Sequence, residues 1–259
     1  MADVAARTRA FLSDPAASEL DAAILIAAML DAHLDCDRVR RDCEALVARC
    51  RVACEGRAGA EALCRFFAGE GFAGNHADYD SLDNSRIDRV LSERRGIPIT
   101  LAVLYLEAAR GVGLEAVGIN FPGHFLVRIA GAVVDPFANQ ALDDAQCRER
   151  LRAAGAAAFV DAGPTEILLR MLNNVKAIAL ADDGLAQGLD IVRCQRLIRP
   201  DEPALAVEEA MLLERLGAPA AAAELVTALA SRLPAASEGA QRLGLWLERL
   251  RSKARPTLH

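Results

Sequence analysis

GIPITLAVLYLEAARGVGLEAVGINFPGHFLVRIAGAVVDPF, residues 96–137, is the stretch that decides the fold. Between Ile99 and Arg110 only Thr100, Glu107 and Arg110 are clearly polar, so an α-helix here is apolar on nearly every face. A helix of that kind is surrounded by protein. Pro98 suits its first turn, and Gly111 with Gly113 supplies the stop. The period then changes from helical to alternating. Val117, Ile119 and Phe121 alternate, Pro122-Gly123 makes a turn, Phe125, Val127 and Ile129 alternate again, and Gly131 leads into Ala132–Asp135. A buried helix followed by a short antiparallel meander predicts an α+β protein.

The same stretch holds His124 and, eleven positions on, Asp135. If Ala130-Gly131 is a two-residue hairpin turn, Ile129 faces Ala132 and Leu126 faces Asp135. His124 and Asp135 then share a face as diagonal neighbours, roughly 7–8 Å apart at the backbone and within side-chain reach. A Gly131-Ala132 turn keeps the face and lengthens the separation, whereas a three-residue loop puts the two on opposite faces. A carboxylate beside an imidazole orients the ring and favours its protonated form, as a general base requires. The bland alternative is that His124 caps the Pro-Gly turn and Asp135 opens the next loop, since Asp-Pro favours turn initiation. Spacing alone leaves both open.

Composition bounds the rest. The chain has 259 residues, 53% of them hydrophobic with alanine prominent, 25% charged and only 4% aromatic, which suits a mostly helical protein with ample core. A net charge of −6 leaves no basic stripe for phosphates, so no nucleic-acid partner is expected. The longest apolar run, Ala22 to Leu30, is too short to cross a bilayer, and no membrane association is expected. The N-terminus, with Asp3 and Arg7, lacks the pattern of a signal peptide. Seven cysteines is an odd number for a disulfide framework, and the expected location is the cytoplasm. Cys36, Cys43, Cys50 and Cys54 fall on one helical stripe, where free cysteines pack as small hydrophobes; close C-x-x-C pairs for zinc are missing. No cofactor or metal is expected.

GFAGNHADYDSLDNSR, residues 71–86, reads as a loop. Asp78, Asp80 and Asp83 suggest calcium, but an EF-hand would need an oxygen ligand at Leu82 and a glycine at Asp83, so local turn bonding is the reading preferred. From Thr165 onward the pattern is helical, in pairs. Ile198-Arg199-Pro200 and Arg232-Leu233-Pro234 end two successive pairs, with the prolines thirty-four residues apart, and Asp190-Ile191-Val192 matches Glu224-Leu225-Val226 at that offset. Thirty-four is the tetratricopeptide period, although only about two repeats fit and the usual tryptophan and tyrosine are missing.

Buried helix, strand, histidine strand and aspartate strand, in that order, resemble the transglutaminase-like branch of the papain-like cysteine enzymes. More closely, GFAGNHADYDSLDNSRIDRVLSERRGIPITLAVLYLEAARGVGL, GINFPGHFLVR and VVDPF together resemble the SirB family of bacterial proteins. The resemblance implies an N-terminal helical region packed on the core over 1–70, a transglutaminase-like core over 71–162 and a tetratricopeptide-like region over 163–259. It matches His124 and Asp135 to the superfamily's histidine and aspartate. The cysteine that normally opens the central helix falls at about Pro98, and no cysteine lies between Cys64 and Cys147. A thiolate is the nucleophile in that chemistry, and proline cannot replace it; the resemblance implies that SirB-family members share the loss.

Thr100, two residues into the helix, is the nearest substitute, though a hydroxyl there usually caps or packs. Cys64, Ser85 and Ser92 are weaker substitutes, and a metal held by His124, Asp135 and His76 has no ligand spacing behind it. Around the helix entrance, Asn84, Arg86, Glu93, Arg94, Arg95 and Pro98 are candidates for lining a cleft. Arginines there could take a carboxylate, or form internal ion pairs with Glu93 or Asp88.

Three functions follow. The first is a non-catalytic transglutaminase-like domain that binds a protein or peptide, with the helical tail as a second docking surface. The second is a hydrolase or acyltransferase with a substituted nucleophile or an activated water. In the third the tail works and the middle domain is a platform. The first two differ in whether a hydroxyl, thiol or metal lies within hydrogen-bond reach of His124.

Overall fold

The computed structural model describes residues 2–234 and 237–254. The chain forms two compact units, Ala10–Val175 and a second built from residues 1–9 with 176–259. It is α+β and mostly helical, with twelve α-helices among the described residues. None of those helices is long and apolar enough to cross a membrane.

α1 (Ala2–Ser13) begins in the second unit and ends in the larger one, where α2 (Glu19–Leu30) follows. Ser18 opens α2 with a capping box, its hydroxyl accepting from the Asp21 N–H while the Asp21 carboxylate accepts from the Ser18 N–H. α3 (Cys36–Ala53) starts on Asp35, which accepts from Arg38 N, and buries Val39, Cys43, Leu46 and Cys50 along one stripe. All seven cysteines are free thiols. After α4 (Ala60–Gly69) come β1 (Ala73–Gly74), a 3-10 turn (Leu82–Ser85), α5 (Ile87–Glu93) and β2 (Arg95–Gly96), with β1 and β2 paired in parallel.

The apolar stretch forms α6 (Pro98–Gly111), in which only Glu107, Arg110 and Gly111 escape full burial. Pro98 occupies its first position. A side chain at Gly111 would overlap Val47, so glycine lets α3 lie close against α6. Gly113 (φ +80), just past the Val112 cap, turns the chain away from the helix, with Leu114 N donating to the Ala109 carbonyl at 2.9 Å.

β3 (Ala116–Phe121), β4 (His124–Ile129), β5 (Ala132–Asp135), β6 (Gln140–Leu142) and β7 (Val160–Ala162) form an antiparallel sheet ordered β6-β5-β4-β3-β7. The predicted three-strand meander is its centre. The two outer strands, three residues each, are too short to carry an alternating pattern, and pairing with their neighbours is what makes them strands. The sheet packs on α6. Its other side is covered by α7 (Asp144–Ala153) and the segment after it, where Cys147, Leu151, Ala154 and Phe159 meet Ile119, Phe121, Leu126, Val133 and Leu142.

α8 (Pro164–Ala181) runs across the division between the units. The second unit contains α9 (Leu185–Ile198), α10 (Pro203–Arg215), α11 (Pro219–Ala230) and α12 (Glu238–Ala254), each packed on the next. Leu189, Val192, Ala210, Leu213, Ala222, Val226 and Leu250 form its core. α9 and α11 begin thirty-four residues apart, the offset seen in the sequence.

Candidate functional site

Two tight turns assemble the site. Phe121 pairs with His124 across Pro122-Gly123, where Gly123 at φ +70 fits the third position of a type II turn. Ile129 pairs with Ala132, so the β4–β5 turn is Ala130-Gly131, both at positive φ (+47 and +87). That is the type I′ geometry that suits the strands' right-handed twist. Of the registers the sequence left open, this one puts His124 and Asp135 on one face as diagonal neighbours. Their side chains meet, His124 Nε2 lying 2.9 Å from Asp135 Oδ1.

Asp135 is 2% exposed and accepts from four donors. Besides His124 these are Arg150 Nη2 of α7 on Oδ2 at 2.6 Å, and the N–H groups of Phe137 and Ala138 on Oδ1 at 3.0 and 3.3 Å. Burial pushes this carboxyl's pKa up. The hydrogen bond and charge of His124, followed by the charge of Arg150 and the Ala138 N–H, more than offset that and hold it below the ordinary value. The group is therefore an ionised acceptor, so Nε2 of His124 is the donor in this bond. Arg150 escaped the sequence reading. It sits in a polar helix fifteen residues downstream, where nothing local marks it.

The start of α6 holds a different arrangement. Thr100 does not cap its helix; its buried hydroxyl donates to the Asn84 carbonyl at 2.8 Å. Asn84, also buried, gives its side-chain amide to the Asp78 and Tyr79 carbonyls and accepts from Asn75 Nδ2 at 2.9 Å. Cys64 is buried on α4 beside the Tyr105 hydroxyl, and burial pushes its thiol up. Ser92 donates to the Arg89 carbonyl, and the buried Ser85 hydroxyl has no hydrogen-bond partner. Among the described residues, no hydroxyl or thiol is hydrogen-bonded to the His124 ring.

The charged residues at the helix entrance have partners within the chain. Arg86 reaches Asp31 at 2.9 Å and Asp88 at 2.8 Å. Arg94 pairs with Glu70, Arg95 donates to the Gly71 and Arg94 carbonyls, and Glu93 lies 3.5 Å from Arg89. Among the described residues no three His, Cys, Asp or Glu side chains are grouped to hold a metal.

An aromatic group that the sequence did not suggest adjoins the His–Asp pair. Phe137 is edged by His76 (centroids 4.6 Å apart), Tyr79 (6.0 Å) and His124 (6.0 Å). Its ring lies over Gly74, where a Cβ would overlap it. His76 is thus a ring neighbour of Phe137. The only trace of this arrangement in the sequence is the glycine, legible once strand and ring are known to meet.

The geometry agrees with comparison to known proteins. A sequence model described as Transglutaminase-like superfamily matches residues 27–173. A UPF0162 protein of Xylella fastidiosa is 37% identical over 123 residues, covering 42% of this chain and 44% of that protein. A UPF0162 protein of Pseudomonas aeruginosa is 39% identical over 98 residues, 34% of this chain and 36% of the relative. F-box only protein 21 of Mus musculus is 29% identical over 164 residues, 56% of this chain and 26% of the relative. The chain thus spans less than half the length of these curated relatives. No solved structure matches it. With the family match covering the central helix, the histidine strand and the aspartate strand, this chain belongs to the transglutaminase-like superfamily.

Proposed function

We propose that this is a non-catalytic transglutaminase-like protein of the SirB type, which holds a protein or peptide in the cleft where its relatives in fold carry out acyl transfer. One observation carries the reading. His124 and Asp135 are joined as a general base and its orienting partner would be, yet α6 opens on Pro98, and the hydroxyl of Thr100, two residues on, is committed to the Asn84 carbonyl. A base with nothing to deprotonate supplies no nucleophile. The α9–α12 array, read as tetratricopeptide-like on its thirty-four-residue offset, adds a second docking surface. The three-part organisation over 1–70, 71–162 and 163–259 and a cytoplasmic location belong to the same reading.

The test is turnover of activated esters and amides by the purified chain beside its His124→Ala variant. We expect both rates to match the buffer blank. A His124-dependent rate tenfold or more above the blank would overturn the reading in favour of a hydrolase or acyltransferase using a substituted nucleophile or water.

A further inference from the structure

We propose that the aromatic group beside His124 selects a basic side chain, lysine or arginine, on the bound peptide. This inference rests on the peptide-binding reading above and names the chemistry of the peptide. His76, Ala77, Asp78, Tyr79 and Asp80 form an exposed run, with Tyr79 46% exposed although its ring edges Phe137. An exposed run normally wanders, but this one is tied from inside. The Asn84 side chain holds the Asp78 and Tyr79 carbonyls at 2.6 and 3.0 Å, and Asn75 Oδ1 accepts from Asp78 N at 3.2 Å. The Tyr79 ring is therefore presented to solvent at a fixed place, which spares a ligand the entropy of ordering it.

Charge defines the occupant. Residues 71–85 contain Asp78, Asp80 and Asp83 and no lysine or arginine. In residues 121–140 the one lysine or arginine is Arg128, which pairs with Asp161, and the His124 ring is bonded to Asp135. Arg150, which reaches this surface from α7, is neutralised on Asp135, and Arg89 is shared between Glu93, at 3.5 Å, and Asp83, at 3.9 Å. Among the described residues Asp78 and Asp80 hold no ion pair. An exposed aromatic ring flanked in the chain by unpaired carboxylates attracts a cation through the ring quadrupole and through Coulomb attraction, and it repels an acidic peptide.

The experiment is a ¹H–¹⁵N NMR titration of the full chain with three capped peptides, Gly-Ser-X-Ser-Gly, where X is lysine, norleucine or glutamate. We expect the lysine peptide to shift the amides of residues 75–81 and 137–138, and the norleucine and glutamate peptides to leave them in place. Tyr79→Ala should weaken the lysine peptide about three- to fivefold while Tyr79→Phe retains it. The double variant Asp78→Asn, Asp80→Asn should weaken it similarly and flatten its salt dependence. Equal shifts with norleucine would overturn the charge selection while leaving peptide binding intact. Absence of any shift at millimolar peptide would overturn both the selection and the binding reading. Ester turnover dependent on His124 would overturn the scaffold reading alone.

Discussion

The Thr100 hydroxyl has its acceptor, the Asn84 carbonyl, sixteen residues earlier, and both groups are buried. Thr100→Val keeps the shape and removes the donor, so it leaves a carbonyl in the core without its partner. We expect a loss of about 1–3 kcal/mol in urea unfolding; an unchanged midpoint would mean that the bond contributes nothing. The sequence placed a hydroxyl at the right turn of the helix and left capping or packing open; packing is what the structure shows, with an acceptor outside the helix. The same limit explains Arg150. His124 and Asp135 were legible because one two-residue turn relates them, whereas Arg150 reaches Asp135 from a helix whose placement depends on the whole sheet.

At the scale of the element, α6 is apolar almost throughout, but near its C-terminal end it carries Glu107, whose side chain is 24% exposed and 4.0 Å from Arg110. Arg110 itself is occupied by Glu19, at 2.5 and 2.8 Å. Burial pushes the Glu107 carboxyl above its ordinary 4.5, Arg110 opposes this, and the charges of Glu19 and Asp21 add to it. A value raised in the folded state means that the folded form binds the proton more tightly than the unfolded chain does. Stability is then present below pH 4.5 and lost as pH rises through the folded value. Glu107→Gln should therefore be more stable than the parent at pH 7, with the gap closing towards pH 4; urea midpoints at the two pH values check this. The helix was predictable from composition alone. The β4–β5 turn was only narrowed to a few registers, since Ala130-Gly131 lacks the asparagine or aspartate that usually marks a type I′ turn, and Ala130 accepts a positive φ because the paired strands impose it.

Across the whole molecule, the second unit carries its own acid-sensitive joint. Glu214 of α10 accepts from Trp246 Nε1 and Lys253 Nζ of α12, each at 2.7 Å, and from Arg249 at 3.1 Å. Lys253 first and then Trp246, each outweighing the cost of burial, with Arg249 adding less, hold the carboxyl down to about 2 from 4.5. Stability from this joint is present above pH 4.5 and lost as pH falls from there towards 2. Trp246 is the chain's single tryptophan, so its fluorescence reports on the packing of α12. We expect Glu214→Gln to lower the thermal midpoint read by this fluorescence at pH 7 and to match the parent near pH 2. An equal midpoint at pH 7 would show that the three donors do not hold α12.

The sequence by itself determined the class of this protein: a helix apolar on nearly every face is enclosed, and alternation over six residues makes a strand, because both follow from local periodicity. It also determined that a histidine and an aspartate lie within one hairpin of each other and that Pro98, not cysteine, opens the helix. Only the tertiary structure decided the edge strands, the tie from Arg150 to Asp135, the use of Thr100 as a tie to Asn84, and the meeting of His76, Tyr79 and His124 around Phe137. Those contacts join residues that are far apart in the chain, and no local pattern encodes a partner that only packing brings near.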